Sequence, residues 1–166
     1  NIENIPMMSG PTVNSLIEAM RGCGRGCDFC DVNKRSKKDF PLERLQKEAK
    51  INLDYGFDSI WLQSDEMLLY GCDNKDFVPN ADAITELWSG LKSTGARFVG
   101  TTHMTLSAVA SSPDLIERLS TINEMNTTGR WLATNLGVET VAPRMVKKHL
   151  GVKLSLIHIS EPTRQA

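Results

Sequence analysis

Cys23, Cys27 and Cys30 lie in the run Arg21-Gly22-Cys23-Gly24-Arg25-Gly26-Cys27-Asp28-Phe29-Cys30, close enough for one short loop to wrap three thiolates around an inorganic centre. Thiolates are soft, anionic ligands suited to iron-sulfur clusters or zinc, and the usual cubane takes four of them. No fourth is at hand. Cys72 stands far along the chain in Tyr70-Gly71-Cys72-Asp73-Asn74, a turn-like setting with no spacing partner, and reads as a buried small residue or a loop thiol. A cubane held by three thiolates keeps one iron open to another molecule. Gly22, Gly24 and Gly26 alternate with Cys23, Arg25 and Cys27, so the backbone can turn sharply and aim its amides at an anion. Arg21 and Arg25 add positive charge, which favours the deprotonated ligands. Other readings of the same loop are a zinc knuckle completed by a histidine, a disulfide pair, or a cluster that only passes electrons. Zinc sites place their second ligand pair within a few tens of residues, whereas the nearest downstream histidine is His103.

The elements that must position this loop follow one rhythm, a short apolar strand and then a helix. The first expected strand, Ser15 to Met20, leads straight into the cysteines. Pro41 opens a helix with Leu42, Leu45, Ala49 and Leu53 on one face and Gly56 at its end. A second strand spans Ser59 to Gln63, and Asn80 caps a helix carrying Ile84, Leu87, Trp88 and Leu91, stopped by Gly95. A third strand, Arg97 to Thr101, precedes a Ser112-Pro113 cap and a helix with Leu115, Ile116, Leu119 and Ile122. The fourth strand is Trp131 to Val138, and Pro143 opens a last helix through Met145, Val146 and Leu150, closed by Gly151. This alternation predicts an α/β fold of parallel strands joined by right-handed crossovers, with chemistry at the carboxyl ends of the strands.

Composition bounds the rest. With 166 residues, 40% of them hydrophobic, and a net charge of -1, the chain can build one sizeable core and carries no basic excess to suggest nucleic acid. The basic run Lys34 to Lys38 reads as a solvated loop without aromatic interleaving. No apolar run reaches membrane-spanning length, no signal peptide is visible, and a cluster motif implies a reducing, cytoplasmic setting. The expected partition is a linker from a missing upstream domain at 1–14, a core at 15–152, and an artefactual tail at 153–166. Leu154 to Ala166 resembles translated sequencing-adapter read-through, although its alternation alone would draw a strand from Leu154 to Ile159; His158 is excluded with it.

The Cys-x3-Cys-x2-Cys spacing with Phe29 before its last cysteine resembles the signature of the radical S-adenosylmethionine (radical SAM) superfamily. The resemblance implies a four-iron four-sulfur (4Fe-4S) cluster on Cys23, Cys27 and Cys30, its free iron chelated by SAM, with Phe29 near the adenine. It also implies a partial TIM-type barrel of six β/α units, of which this chain supplies the first four and is truncated before the rest. Ser64-Asp65-Glu66 stands after the second strand where the family commonly has Gly-Gly-Glu, so Glu66 is expected at SAM's amino group with backbone help from Ser64 and Asp65. Gly137-Val138-Glu139-Thr140 is similar to the family's Gly-Ile-Glu-Ser, which puts Glu139 at the ribose or amino group and Thr140 behind it. Arg144 is the candidate for the SAM carboxylate. His103, past the third strand, is a candidate catalytic residue that touches substrate or moves a proton, and equally reads as a packed, hydrogen-bonded histidine.

In function, the resemblance implies reductive cleavage of SAM to a 5'-deoxyadenosyl radical that abstracts hydrogen from an unknown small-molecule or macromolecular substrate, with an electron donor such as flavodoxin or ferredoxin. The run from Gly10-Pro11-Thr12-Val13-Asn14 through the cysteine loop, with Leu68-Leu69-Tyr70-Gly71, resembles radical SAM proteins that carry an upstream cobalamin-binding domain, which implies cobalamin-dependent methyl transfer or a related alkyl rearrangement. The competing class is a non-catalytic iron-sulfur electron-transfer protein with no use for Glu66 or Glu139. A third is a truncated product that is neither stable nor active.

Overall fold

The computed structural model describes residues 4–129, 132–138, 140 and 142–150. In chain order the elements are β1 (Leu16–Glu18), β2 (Met20–Arg21), β3 (Lys38–Asp39), α1 (Leu42–Tyr55), β4 (Ser59–Gln63) and α2 (Ala81–Lys92). They continue with β5 (Phe98–Thr101), β6 (His103–Met104), α3 (Leu106–Ser111), α4 (Pro113–Ile122), α5 (Met125–Thr128), β7 (Asn135–Leu136) and α6 (Pro143–Met145), and a π-helical turn follows at Val146–Leu150.

The central sheet runs β1-β4-β5, all parallel, with Leu16 opposite Trp61 and Ile60 opposite Val99. Beyond β5 the pairing continues through Thr102. Its amide donates to the Leu62 carbonyl, its own carbonyl accepts from Asn135, and β6 and β7 then pair in parallel. Strands β1, β4 and β5 thus lie side by side in chain order, a mixed α/β architecture with a parallel sheet, and β7 pairs with β6 in a ladder of its own. No closed barrel forms among the described residues. An antiparallel pair, β2 with β3, sits beside the sheet and was not expected from the sequence.

One core explains the layering. Ile17, Ile60, Leu62 and Val99 are buried in a single cluster with Leu45 and Ala49 of α1, Ile84, Leu87, Trp88 and Leu91 of α2, and Leu115 and Leu119 of α4. Each of the Leu, Ile and Val side chains contributes roughly 1.5–3 kcal/mol by leaving water. The expected caps hold at two helices. Gly56, at φ 115°, ends α1 in the left-handed region, and the Asn80 side chain accepts from the Ala83 amide at 3.1 Å at the start of α2. Pro113 opens α4 as expected, but the Ser112 side chain makes no capping bond.

The expected fourth strand is shorter than its apolar run. Only Asn135 and Leu136 join a ladder, and Trp131 lies outside the described residues. On that side of β5 the Asn123 side chain takes both backbone groups of Val99, accepting its N–H and donating to its carbonyl, each at 2.9 Å. Trp88 Nε1 donates to the same carbonyl at 3.0 Å. A neighbouring strand therefore finds no free partners at Val99, and the described pairing with 135–136 begins at the Thr102 carbonyl. The last helix opens at Pro143 as expected but passes into the π-helical turn at Val146. Gly151, the boundary near Val152 and the tail lie outside the described residues. In the 1–14 segment, Ile5 and Met8 pack on the core, and Arg44 donates to the Ile5 and Pro6 carbonyls.

Candidate functional site

The cysteine loop leaves the carboxyl end of the sheet under tight backbone control. The Ala19 amide bonds to the Gln63 carbonyl at 2.9 Å, which ties the chain after β1 to the end of β4. Gly22, Gly24 and Gly26 then take φ values of 78°, 73° and 79°. At Gly22 the requirement is doubled, because a Cβ there would meet the Arg35 carbonyl oxygen at 2.9 Å and that of Ser36 at 3.0 Å. The Gly22 amide donates to Asp65 Oδ2 at 2.7 Å, so the loop after β4 grips the cysteine loop directly. The far side is held by the π-helical turn. Cys27 Sγ donates to the Leu150 carbonyl at 3.4 Å, the Asp28 amide donates to the His149 carbonyl at 3.2 Å, and His149 Nδ1 pairs with Asp28 Oδ2 at 2.7 Å.

This packing surrounds a cavity of about 250 Å³ lined by all three cysteines, Arg25, Phe29, Val32, Gln63, Ser64, Asp65, Glu66, His103 and Thr105. Residues from the ends of β1, β4 and β5 thus meet in one place, where a parallel sheet is expected to hold its ligand. Phe29 is 57% exposed at the rim. It also lines an adjoining cavity of about 370 Å³ with Asp28, Thr140, Met145, His149 and Leu150. Thr140 therefore belongs to the neighbouring space, sharing Phe29 with the first. Arg144 is exposed on α6, and Glu139 lies outside the described residues. His103 is exposed, with Nδ1 3.0 Å from the Thr102 hydroxyl, which places it at the cavity and not in the core.

The electrostatic centre is a buried pair. Arg25 and Glu66 are 4% and 1% exposed, and Arg25 Nε stands 3.8 Å from Glu66 Oε2, too far for a hydrogen bond. Burial lowers the Arg25 pKa against the attraction of Glu66 and of Cys23, Cys27 and Cys72. Burial likewise raises that of the Glu66 carboxyl, opposed by Arg25, Thr105 and the Leu68 amide. At this separation, desolvation outweighs the mutual attraction. Glu66 Oε1 accepts from the Leu68 amide at 3.2 Å and caps the short helical turn Met67–Leu69, while Oε2 accepts no hydrogen bond. The Ser64 hydroxyl is likewise buried without one. Burial also pushes the Cys23 thiol up, against the Arg25 backbone bond and charge.

The sequence marked Arg25 only as a positive charge near the cysteines. Its burial, and the contributions of Gln63, Thr105 and His149, were missed. Arginine flanked by glycines between two cysteines was the available signal, since Gly24 and Gly26 at positive φ let the backbone turn on either side of it. Cys72 is buried beside Met20 and Leu69, with Cys23, Tyr70 and Phe77 packed on the same cluster, and its thiol donates to the Val78 carbonyl at 3.3 Å.

Three thiols are a donor set whose chemistry suits an iron-sulfur cluster. No three His, Cys, Asp or Glu side chains among the described residues converge on one metal position. The three thiols instead stand around one cavity, beneath a loop whose alternating left-handed glycines suit an anion. A family model described as the radical SAM superfamily matches residues 17–156, a span that holds the cysteine loop, the Ser64-Asp65-Glu66 segment and the parallel strands together. The chain belongs to the radical SAM superfamily. Membership implies an enzyme with a 4Fe-4S cluster and SAM as cofactors. No curated protein matches the chain. Among the described residues, no helix is long and apolar enough to cross a membrane.

Proposed function

We propose that this radical SAM chain holds a 4Fe-4S cluster on Cys23, Cys27 and Cys30 and binds SAM in the cavity beside it, initiating hydrogen abstraction from a substrate. The observation that carries the reading is the meeting of three thiols and the Oε2 oxygen of Glu66, buried without a hydrogen bond, on one cavity at the carboxyl end of a parallel sheet. When bound, the cluster supplies the electron that cleaves SAM reductively.

The protein's own groups divide the remaining work. Glu66 Oε2 receives the ammonium of the aminoacyl arm, a charge-assisted bond strengthened by burial. Ser64 offers a second buried acceptor or donor alongside it. Phe29, common to both cavities, stacks on the adenine and leads the nucleoside toward Thr140, and the family resemblance assigns Glu139 to the ribose or amino group and Arg144 to the carboxylate. His103 meets the substrate at the open side. The electron donor is of the flavodoxin or ferredoxin kind, in a reducing compartment, and cobalamin-dependent methyl transfer is the reaction favoured by the flanking resemblance.

The test is electron paramagnetic resonance of the anaerobically reconstituted, reduced protein with and without SAM, together with assay of methionine and 5'-deoxyadenosine. A SAM-induced change in the cluster signal and formation of both products are expected. An unchanged signal would make the chain an electron carrier.

A further inference from the structure

Arg25 sits between two of the three cysteines, yet it points away from solvent and into the protein. Its guanidinium is fixed from several sides. Nη1 lies 3.3 Å from the Ser107 hydroxyl, Nε 3.8 Å from Glu66 Oε2, and Cζ 5.2 Å from the centre of the Phe77 ring. Phe77 is itself held in place. It takes φ 55°, an unusual value for a bulky residue, inside a turn stapled by Asn74, whose side chain donates to the Val78 carbonyl at 2.8 Å and accepts from the Val78 amide at 3.0 Å. Arg25 thus joins four segments: the cysteine loop, the loop after β4, the 72–78 turn and α3. Glu66 Oε1 is held by the Leu68 amide and Thr105 also bonds the carboxyl, while Oε2, which accepts no hydrogen bond, faces the Arg25 cation. The second link between the two loops, Asp65 to the Gly22 amide, makes the connection two-point.

We infer that Arg25 is a positioning residue, coupling the cysteine loop to the Glu66 carboxylate so that Oε2 is presented to the ammonium of a bound aminoacyl group. The inference rests on the reading of Glu66 as the ammonium acceptor. Its 3.8 Å separation is the useful feature: the guanidinium balances the buried charge from one side without occupying the lone pairs of Oε2.

The experiment compares R25M, R25K and F77L with the wild-type chain after anaerobic reconstitution. Iron and sulfide content are measured first. SAM affinity is then read from the cluster's resonance signal, and the affinity for 5'-methylthioadenosine, which lacks the aminoacyl arm, from calorimetric titration. R25M is expected to weaken SAM about tenfold or more, within the usual range of coupling between sites, and to leave methylthioadenosine unchanged. R25K recovers SAM affinity to within about threefold of wild type, F77L falls between, and R25M adds nothing to the loss in E66Q. Wild-type SAM affinity in R25M or F77L overturns the inference, as does equal weakening of both ligands. So does an iron loss in R25M that R25K does not restore, which would assign Arg25 to folding alone. A wild-type signal indifferent to SAM sinks the underlying function before any variant is made, so the two failures are distinguishable.

Discussion

Substituting Gly22 by alanine tests the backbone logic of the cysteine loop, and Gly26 supplies its control. Both residues have nearly the same positive φ, 78° and 79°. An L-residue there costs about 1–2 kcal/mol in conformation alone. Around Gly26 a Cβ would meet nothing within 4 Å, so G26A should lose that amount and no more. At Gly22 the same Cβ would lie 2.9 Å from the Arg35 carbonyl oxygen and 3.1 Å from the Ser36 carbonyl carbon, backbone atoms that cannot rotate aside. Overpacking of this kind adds roughly 1–3 kcal/mol. Relief requires the loop to slide, which strains the 2.7 Å bond from the Gly22 amide to Asp65. G22A should therefore be about 1–3 kcal/mol less stable than G26A. Urea midpoints of the two apoproteins at equal m-value give the difference, and iron retained after reconstitution reports its effect on the site. Equal midpoints for G22A and G26A would refute the steric argument.

Three further outcomes follow from the same geometry. C72A should keep full iron content after reconstitution, since Cys72 is packed beside Met20 and Leu69 and does not line the cavity that Cys23, Cys27 and Cys30 share, whereas C23A, C27A and C30A should each lose the cluster; iron loss in C72A would make it a ligand. Burial raises the Tyr70 hydroxyl from 10.0 to about 12, so the unfolded chain gives up this proton first as pH rises. The contribution of Tyr70 is thus complete below pH 10.0 and disappears through about 12; Y70F should flatten that decline while losing about 1 kcal/mol at neutral pH with the bond to the Phe40 carbonyl, as denaturation across pH would show. G100A should displace the Trp61 ring, whose atoms come within 2.6 Å of the added Cβ, costing roughly 1–3 kcal/mol and shifting tryptophan fluorescence.

Much of this was legible in residue order. Helices α1 and α2 and strand β4 stand close to where apolar period and capping residues put them, because Leu45, Ala49, Ile84, Leu87 and Trp88 are local patterns that a single buried face must satisfy. The three cysteines could be grouped at a glance because their spacing is itself the geometry of the loop. The fourth strand was not legible. Asn123, a helix-end side chain, occupies the edge of β5 at Val99, and no pattern near Trp131 records that.

The same division runs through the site. The α/β rhythm is a property of local apolar periods, and family membership is carried by residue order over 17–156, so the sequence determined both alone. Which groups share a cavity was decided only by folding. Asp65 on the Gly22 amide, Arg25 facing Glu66 and Phe77 beneath its guanidinium join residues 43, 41 and 52 positions apart in the numbering of the chain. The physical reason is that a buried charge is tolerated only where several distant segments converge to balance it, and such convergence exists in three dimensions before it is visible in one.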